Sequence, residues 1–342
     1  MSNAFLSNNK LRMKQSNENL VLSTLKHLNT ATCAEIAKTT DLSVATCGNI
    51  LKRLLNSGEV LEGDFESQSS GRPAKQYVYN ENFSLVIALT LHPENGSSLL
   101  QYAVANLYGK IIEKETFKYE TITSTLLHDL IDKSQEKYPN IKAMGMGVPS
   151  VVNKNGTIIS GDIKEINGMN LSDLIDTKDY NLKTSINTSP ALSIYGYYSQ
   201  HPELRGKVVS SLIYPSNLGA GIIIDNHIHN GDFNVGGEIN FISKGFLKRY
   251  MPIDDTSTRY LQDILFSITA LLATVNPTFI VLMGEEFSPE IYHKLQSCCH
   301  EIFPAGFVPD LIRLPNYRDV YLNGAVQTAI DQLAPKVQLI KK

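Results

Sequence analysis

Residues 42–58, LSVATCGNILKRLLNSG, carry short polar and basic side chains at helical spacing: Thr46, Asn49, Arg53 and Asn56. Hydroxyl, amide and guanidinium groups are the ones that reach base edges and phosphates of a duplex, so the chemistry this face offers is nucleic-acid recognition. The element that must position them is an amphipathic helix. Val44, Cys47, Leu51 and Leu54, with Ile50 beside them, make an apolar stripe on the other side. Ser43 is placed to cap the first turn through its hydroxyl, and Gly58 to end the helix in a left-handed conformation. A solvated polar face over a small core accounts for the same spacing, so the neighbouring residues must decide.

Residues 1–15 are polar and basic, with Lys10, Arg12 and Lys14, and read as a loose arm. Val21, Leu25 and Leu28, with Leu22, predict a helix from about Ser16 to Leu28. Thr32 and Glu35 have capping-box spacing and open a short helix through about Lys38. A turn over Thr39–Leu42 then leads into the polar-faced helix, which is the helix-turn-helix order with the third helix as reader. After Gly58 the period changes to two: EVLEG and KQYVYN read as strands joined by the polar loop DFESQSSGRPA. That hairpin is a wing, and Arg72, held extended between Gly71 and Pro73, is suited to a narrow minor groove where the negative potential is strongest. A flexible acidic hairpin with one incidental arginine is the alternative. The candidate DNA-contacting set is Ser43, Thr46, Asn49, Arg53, Arg72 and Lys75.

The whole chain, at 342 residues, is long enough for two or three domains. From residue 81 onward strands alternate with helices. Leu85–Leu91 and Leu99–Asn106 are strands separated by a loop over His92–Ser98, and Ile111–Phe117 is a third. Thr123–Tyr138 is a helix, Ile141–Val148 a strand. Val208–Tyr214 and Gly221–Ile224 are strands joined by the loop Pro215–Ala220, and Asp225-Asn226-His227 is a hairpin turn. Leu261–Val275 is a helix, Phe279–Met283 a buried strand, and Tyr321–Leu333 a closing helix. This alternation predicts an α/β body with two lobes. Met144 and Met146 read as core, and Gly145 and Gly147 as sites of close packing.

Net charge is −3, against wholesale coating of nucleic acid, but residues 1–80 carry nine Lys and Arg against seven Asp and Glu. Binding to DNA then depends on local placement and on pairing of subunits. Cys33 and Cys47 fall on core faces, Cys298 and Cys299 are adjacent, and no C-x-x-C occurs, so neither a disulfide framework nor a cysteine zinc cage is supported. The start of the chain lacks a secretory apolar core and no run of about 18 apolar residues occurs, which predicts a cytoplasmic protein without a membrane span. His227 and His229 form an H-x-H without a third ligand and read as exposed hairpin residues.

The order and spacing of LSVATCGNILKRLLNSGEV, SGRPAKQYVYN, AVANLYGKII, MGMGVPSVV, LGAGIIIDNHIHNG, VGGEINFIS, VNPTFIVLMGEEFSP and LNGAVQTAI resemble the ROK family of repressors and sugar kinases, from about residue 16 to 335. The resemblance implies a winged helix-turn-helix over 1–80, then a two-lobed actin-like, hexokinase-type ATPase fold. Its first lobe would take 81–190 plus about 318–342, and its second 191–317. It also implies a dimer or tetramer.

The departures from the family pattern imply a degenerate version. The Asp-bearing, glycine-rich phosphate turn of the kinases is replaced by Leu89-Thr90-Leu91-His92-Pro93-Glu94-Asn95. Where kinases carry a catalytic Asp after an Asn, this chain has Thr188 after Asn187, and a threonine cannot act as a base near neutral pH. The second phosphate loop is Pro215-Ser216-Asn217-Leu218-Gly219-Ala220-Gly221, and Pro215 removes a donor from any anion cradle. The family zinc motif is absent after Gly237-Glu238, where Ile239-Asn240-Phe241 follows. Phosphoryl transfer depends on such positioning groups, so no catalytic residue, cofactor or metal is expected. Asn187 and Glu238 remain at positions where family members bind sugar hydroxyls, with Asn167 and Gly168 in a segment resembling a cleft-lining loop. These four are the candidate effector site, although a capping or pairing role for Glu238 and a buried-turn role for Asn187 fit equally well.

The expected protein is a DNA-binding regulator, a repressor of carbohydrate genes, whose partners are an operator duplex, a sugar or sugar-phosphate effector and further copies of itself. An active sugar kinase with a fused DNA-binding head, or a sensor of a protein or non-sugar ligand, are the alternatives.

Overall fold

Absence of Gly and Pro between Ser2 and Leu28 leaves nothing to interrupt a helix there, and in the computed structural model α1 spans Ser2–Leu28 rather than starting near residue 16. The residues described are 2–66, 74–94, 97–170, 180–214, 218–241 and 256–333. Val21 and Leu25 of α1 are fully buried, whereas Leu28, at the last turn, is exposed. The chain continues as β1 (Thr30–Thr32), α2 (Cys33–Thr40), α3 (Val44–Ser57), β2 (Val60–Glu66) and β3 (Ala74–Tyr79). The Thr32–Glu35 capping box closes in both directions, Glu35 accepting from the Thr32 N–H at 2.7 Å. Asp41, at φ 56, turns the chain sharply between α2 and α3. The strands form one antiparallel sheet in the order β1-β3-β2. β1 has only three residues and no alternation long enough to register in the sequence.

These elements, with Asn106–Tyr108, form one unit, the head; Leu85–Ala105 and Gly109–Leu333 form the other, the body. The body contains two five-stranded sheets of the same construction. The first runs β10 (Lys183–Thr188), β7 (Ile141–Val148), β4 (Leu85–Glu94), β5 (Ser97–Ala105), β6 (Ile111–Tyr119). The second runs β15 (Asp310–Leu314), β14 (Phe279–Met283), β11 (Val209–Ile213), β12 (Gly219–Ile224), β13 (His227–Ile228). In each, a three-stranded antiparallel meander is extended by two parallel strands. A small hairpin of β8 (Ser150–Val152) and β9 (Ile158–Gly161) follows β7. The turn at Asp225 and Asn226 has positive φ at both residues, the geometry whose twist suits a two-residue hairpin.

Strands buried on both faces explain the unbroken apolar runs. Along β4, Leu85, Ile87, Leu89 and Leu91 face one core with α4 (Ser124–Lys137), while Val86 and Ala88 face another. The second face of that sheet is built of small residues, among them Ala103, Ala105 and Ala143, so a helix can lie directly on it. That helix is α8 (Arg318–Leu333). A Cβ at Gly145 would fall 1.9 Å from the Ala325 carbonyl oxygen. Met144 and Met146 point the other way and are fully buried. α8 also packs along α5 (Ser189–Gln200), which covers the second sheet; α6 (Thr256–Thr274) and α7 (Pro289–Ile302) cover its far side.

The loop expected over His92–Ser98 is instead the end of a hairpin, with Pro93 opposite Ser98 and Glu94 opposite Ser97. Pro93 is tolerated because the parallel pairing of β4 with β7 ends at Thr90, so its missing N–H breaks no ladder bond on that edge. The loop expected over Pro215–Ala220 is shorter at its end, since β12 starts at Gly219; Pro215, Ser216 and Asn217 lie outside the described residues. Among the described residues no helix is long and apolar enough to cross a membrane.

Candidate functional site

On α3 the buried residues are Cys47, Ile50, Leu51 and Leu54. Helical geometry puts Ala45, Lys52 and Asn56 diametrically opposite them, with Asn49 alongside; all four are exposed. Val44, expected in the buried stripe, is 57% exposed, because it lies on the flank of that stripe at the first turn. The helix ends as the sequence predicts: the Ser43 hydroxyl accepts from the Thr46 N–H at 3.1 Å, and Gly58 has φ 86.

The candidate contacts therefore divide. Asn49 is exposed on the outward face, and so is Lys52, whose angular position follows from the buried set although it is not among the candidates. Ser43 and Thr46 share a hydroxyl hydrogen bond of 2.8 Å at the cap. Arg53 is half-buried, and its Nη2 donates to the Glu18 carboxylate on α1 at 2.7 Å. Lys75 pairs with Glu62 across the wing strands. Arg72 lies outside the described residues.

In the body, a cavity of about 490 Å³ opens where the ends of β4, β7 and β10 meet the start of α5, the turn before Phe241 and the first turns of α8. Its polar lining includes His92, Ser150, Asp162, Thr188, Glu238 and Tyr317, and among the described residues it contains no Lys or Arg. Burial raises the Glu238 carboxyl above the usual carboxylate range. Burial also pushes the Tyr317 hydroxyl up to about 12. His92 donates to or accepts from Thr90 at 3.2 Å, packs edge-on against Tyr321, and is driven down to about 4 by burial, with Arg318 adding to the effect. It is a neutral imidazole at physiological pH. The Ser150 hydroxyl is buried without a hydrogen-bond partner among the described residues.

Of the four candidate effector residues, Glu238 lines this cavity. Asn187 stands one residue before Thr188 at the end of β10, and its side-chain Oδ1 accepts from the Asn230 side-chain amide at 3.2 Å. Asn167 and Gly168, exposed after a single 3-10 turn, are not among the cavity-lining residues. Thr188 faces the cavity at the position where the resemblance places a catalytic Asp. Glu94, at the tip of the β4–β5 hairpin, is held by Arg318 at 3.2 Å and Lys118 at 3.6 Å. No group of three His, Cys, Asp or Glu among the described residues is arranged to hold a metal ion, and Ile239 and Phe241 beside Glu238 offer no ligand. His227 and His229 are exposed on their hairpin.

One unit is a helix-turn-helix with a β-hairpin, and the other is an α/β body of two like sheets with a polar cavity, an actin-like, hexokinase-type fold. Residues 94–248 match the ROK family model. The chain is 29% identical over 253 residues to the xylose repressor of Caldicellulosiruptor bescii, covering 70% of this chain and 61% of that protein. It is 22% identical over 245 residues to the xylose repressor of Bacillus subtilis, covering 68% and 62%. It thus spans about three fifths of the length of the curated relatives it matches. A crystal structure of a ROK family transcriptional regulator, a homologue of the E. coli MLC protein, superposes with a TM-score of 0.67 at 16% identity, over 94% of this chain and 98% of the other. A ROK family glucokinase from Streptomyces griseus in complex with glucose and AMPPNP gives 0.54 at 14% identity, over 72% and 100%. Both share the fold.

Proposed function

We propose that the chain is a sugar-responsive transcriptional repressor: the head binds an operator duplex, and the body binds a neutral sugar without phosphorylating it. The observation that carries this reading is the outward face of α3, where Asn49 and Lys52 stand free above a fully apolar core. The repressor names of its relatives support it. The protein works in the cytoplasm as a homodimer or homotetramer, because one short helix with a modest local charge needs a second head on a paired half-site.

For the body, a polar lining that carries the Asp162 and Glu238 carboxylates favours a neutral polyol, such as the xylose named in the relatives, over a sugar phosphate. Glu238 and Ser150 supply acceptor and donor, and Asn187 stands close behind. The kinase fold of the neighbours makes sugar phosphorylation the second reading. Thr188 speaks against it, since its hydroxyl cannot take a proton from a sugar near neutral pH. The paired Glu94 also puts a carboxylate on the hairpin that would have to cradle phosphates. An ADP-release assay over a panel of sugars is expected to give no sugar-dependent turnover; measurable turnover would overturn the non-catalytic reading.

Asn49→Ala is expected to weaken specific duplex binding by about 1–3 kcal/mol, the worth of a bidentate base contact. Arg53→Ala should cost less than about 1 kcal/mol, because it breaks a half-exposed ion pair and not a base contact. Fluorescence anisotropy with a labelled duplex measures both, and the reverse ranking would put Arg53 back in the groove.

A further inference from the structure

The first turn of α3 presents an apolar tip that the fold leaves uncovered. Val44 is 57% exposed, while Cys47, Ile50, Leu51 and Leu54 of the same helix are between 0% and 3% exposed. Ala45 beside it is exposed as well. Neither is needed for the helix start, which Ser43 and Thr46 hold through their own hydrogen bonds. Two apolar side chains therefore stand in water at the leading end of a helix whose outward face is otherwise Asn49, Lys52 and Asn56.

Resting on the DNA-binding reading above, we propose that Val44 and Ala45 read thymine, packing against the 5-methyl groups exposed in the major groove. Several observations select this occupant. The N-terminal residues of a reader helix are those that meet base edges, and thymine is the base that displays a methyl group there. Asn49 follows the tip by one turn and Lys52 by two turns along the same face, an amide and a cation that suit adenine, the partner of thymine, and phosphate. The guanidinium that would favour guanine, Arg53, is turned to Glu18 instead. The half-site then carries thymine methyls opposite the first turn of α3.

The test uses the full chain and a duplex recovered by it from a randomised pool. Each thymine is replaced in turn by deoxyuridine, which removes the methyl and leaves every hydrogen bond of the pair intact. At one or two positions per half-site the affinity is expected to fall about fourfold, the worth of burying one methyl-sized group. The variant carrying both Val44→Ser and Ala45→Ser is expected to bind the thymine and deoxyuridine duplexes alike. Equal binding of all deoxyuridine duplexes by the unmodified chain would overturn the proposal while leaving DNA binding intact. A change in oligomeric mass of the double variant, with the thymine dependence unaltered, would also overturn it and make the tip a contact between copies of the chain. Recovery of no duplex at all would remove both this proposal and the function on which it rests.

Discussion

Gly196→Ala is expected to destabilise the body by about 3 kcal/mol, the upper end of the cost of forcing extra atoms into a packed core. Gly196 lies on α5 where that helix crosses α8. A Cβ there would stand 1.8 Å from the Val320 carbonyl oxygen and 2.6 Å from the Gly324 nitrogen. Those are backbone atoms of a helix wedged between two sheets, so no rotamer change can relieve the overlap. Gly324 is the reciprocal case, its added Cβ meeting the Leu192 carbonyl oxygen at 1.9 Å. The two glycines are the reason α5 and α8 can touch along their backbones. For a unit of this size the loss corresponds to a fall of about 6–12 °C in melting temperature. A calorimetric scan checks it, and a near-unchanged transition would mean that the two helices do not approach as closely as described.

Acidification is expected to destabilise the body through His92 by about 3 kcal/mol between roughly pH 6.5 and pH 4. The ring is 6% exposed, beside Thr90 and Tyr321. Burial first, and the Arg318 charge second, hold its pKa at about 4 against an ordinary 6.5, with Gln101 and Glu94 pulling weakly the other way. Above the ordinary value both folded and unfolded chains carry a neutral ring, and the group contributes nothing to the pH dependence. As pH falls below it, the unfolded chain takes up the proton first. Stability is therefore lost progressively until the folded ring also protonates. His92→Gln removes the titration, so the slope of stability against pH over this range should flatten, although the absolute stability of the variant is lower. Parallel profiles for the two proteins would contradict the burial assigned to this ring.

Where a segment carried a local signal, the sequence was sufficient. Ser43, Gly58 and the Thr32–Glu35 box marked helix ends correctly because caps act over three or four residues. β7 and β14 were legible to the residue, since fully buried strands are unbroken apolar runs between turn signals. Helix α5 escaped notice for the opposite reason: buried on both sides, Ala191, Leu192, Ile194, Tyr197 and Tyr198 leave no polar face and hence no period. β10, KTSINT, is a strand by its pairing with β7 and shows no hydrophobic alternation. The hairpin at Pro93 was hidden by a proline whose harmlessness depends on where a neighbouring strand stops.

The same division holds for the site. The outward direction of α3 was contained in its four buried positions, yet the polar spacing drew attention to Thr46 and Arg53, which the fold engages in a cap and an ion pair. Cavity residues His92, Ser150, Thr188, Glu238 and Tyr317 come from segments far apart in the chain, and no local pattern joins them. Only the family resemblance singled out Glu238 and marked position 188 beforehand.

The central claim is that one chain couples sugar occupancy of the body to duplex affinity of the head, and its direct measurement is a linkage titration. Neutral pentoses and hexoses are added to a complex of the full chain with a duplex from the region upstream of its own gene, and anisotropy is followed at fixed salt. The account predicts that a sugar which raises the melting temperature of the protein also shifts its duplex affinity, with the duplex shifting sugar affinity by the same factor. A sugar that binds and leaves duplex affinity unchanged would contradict it.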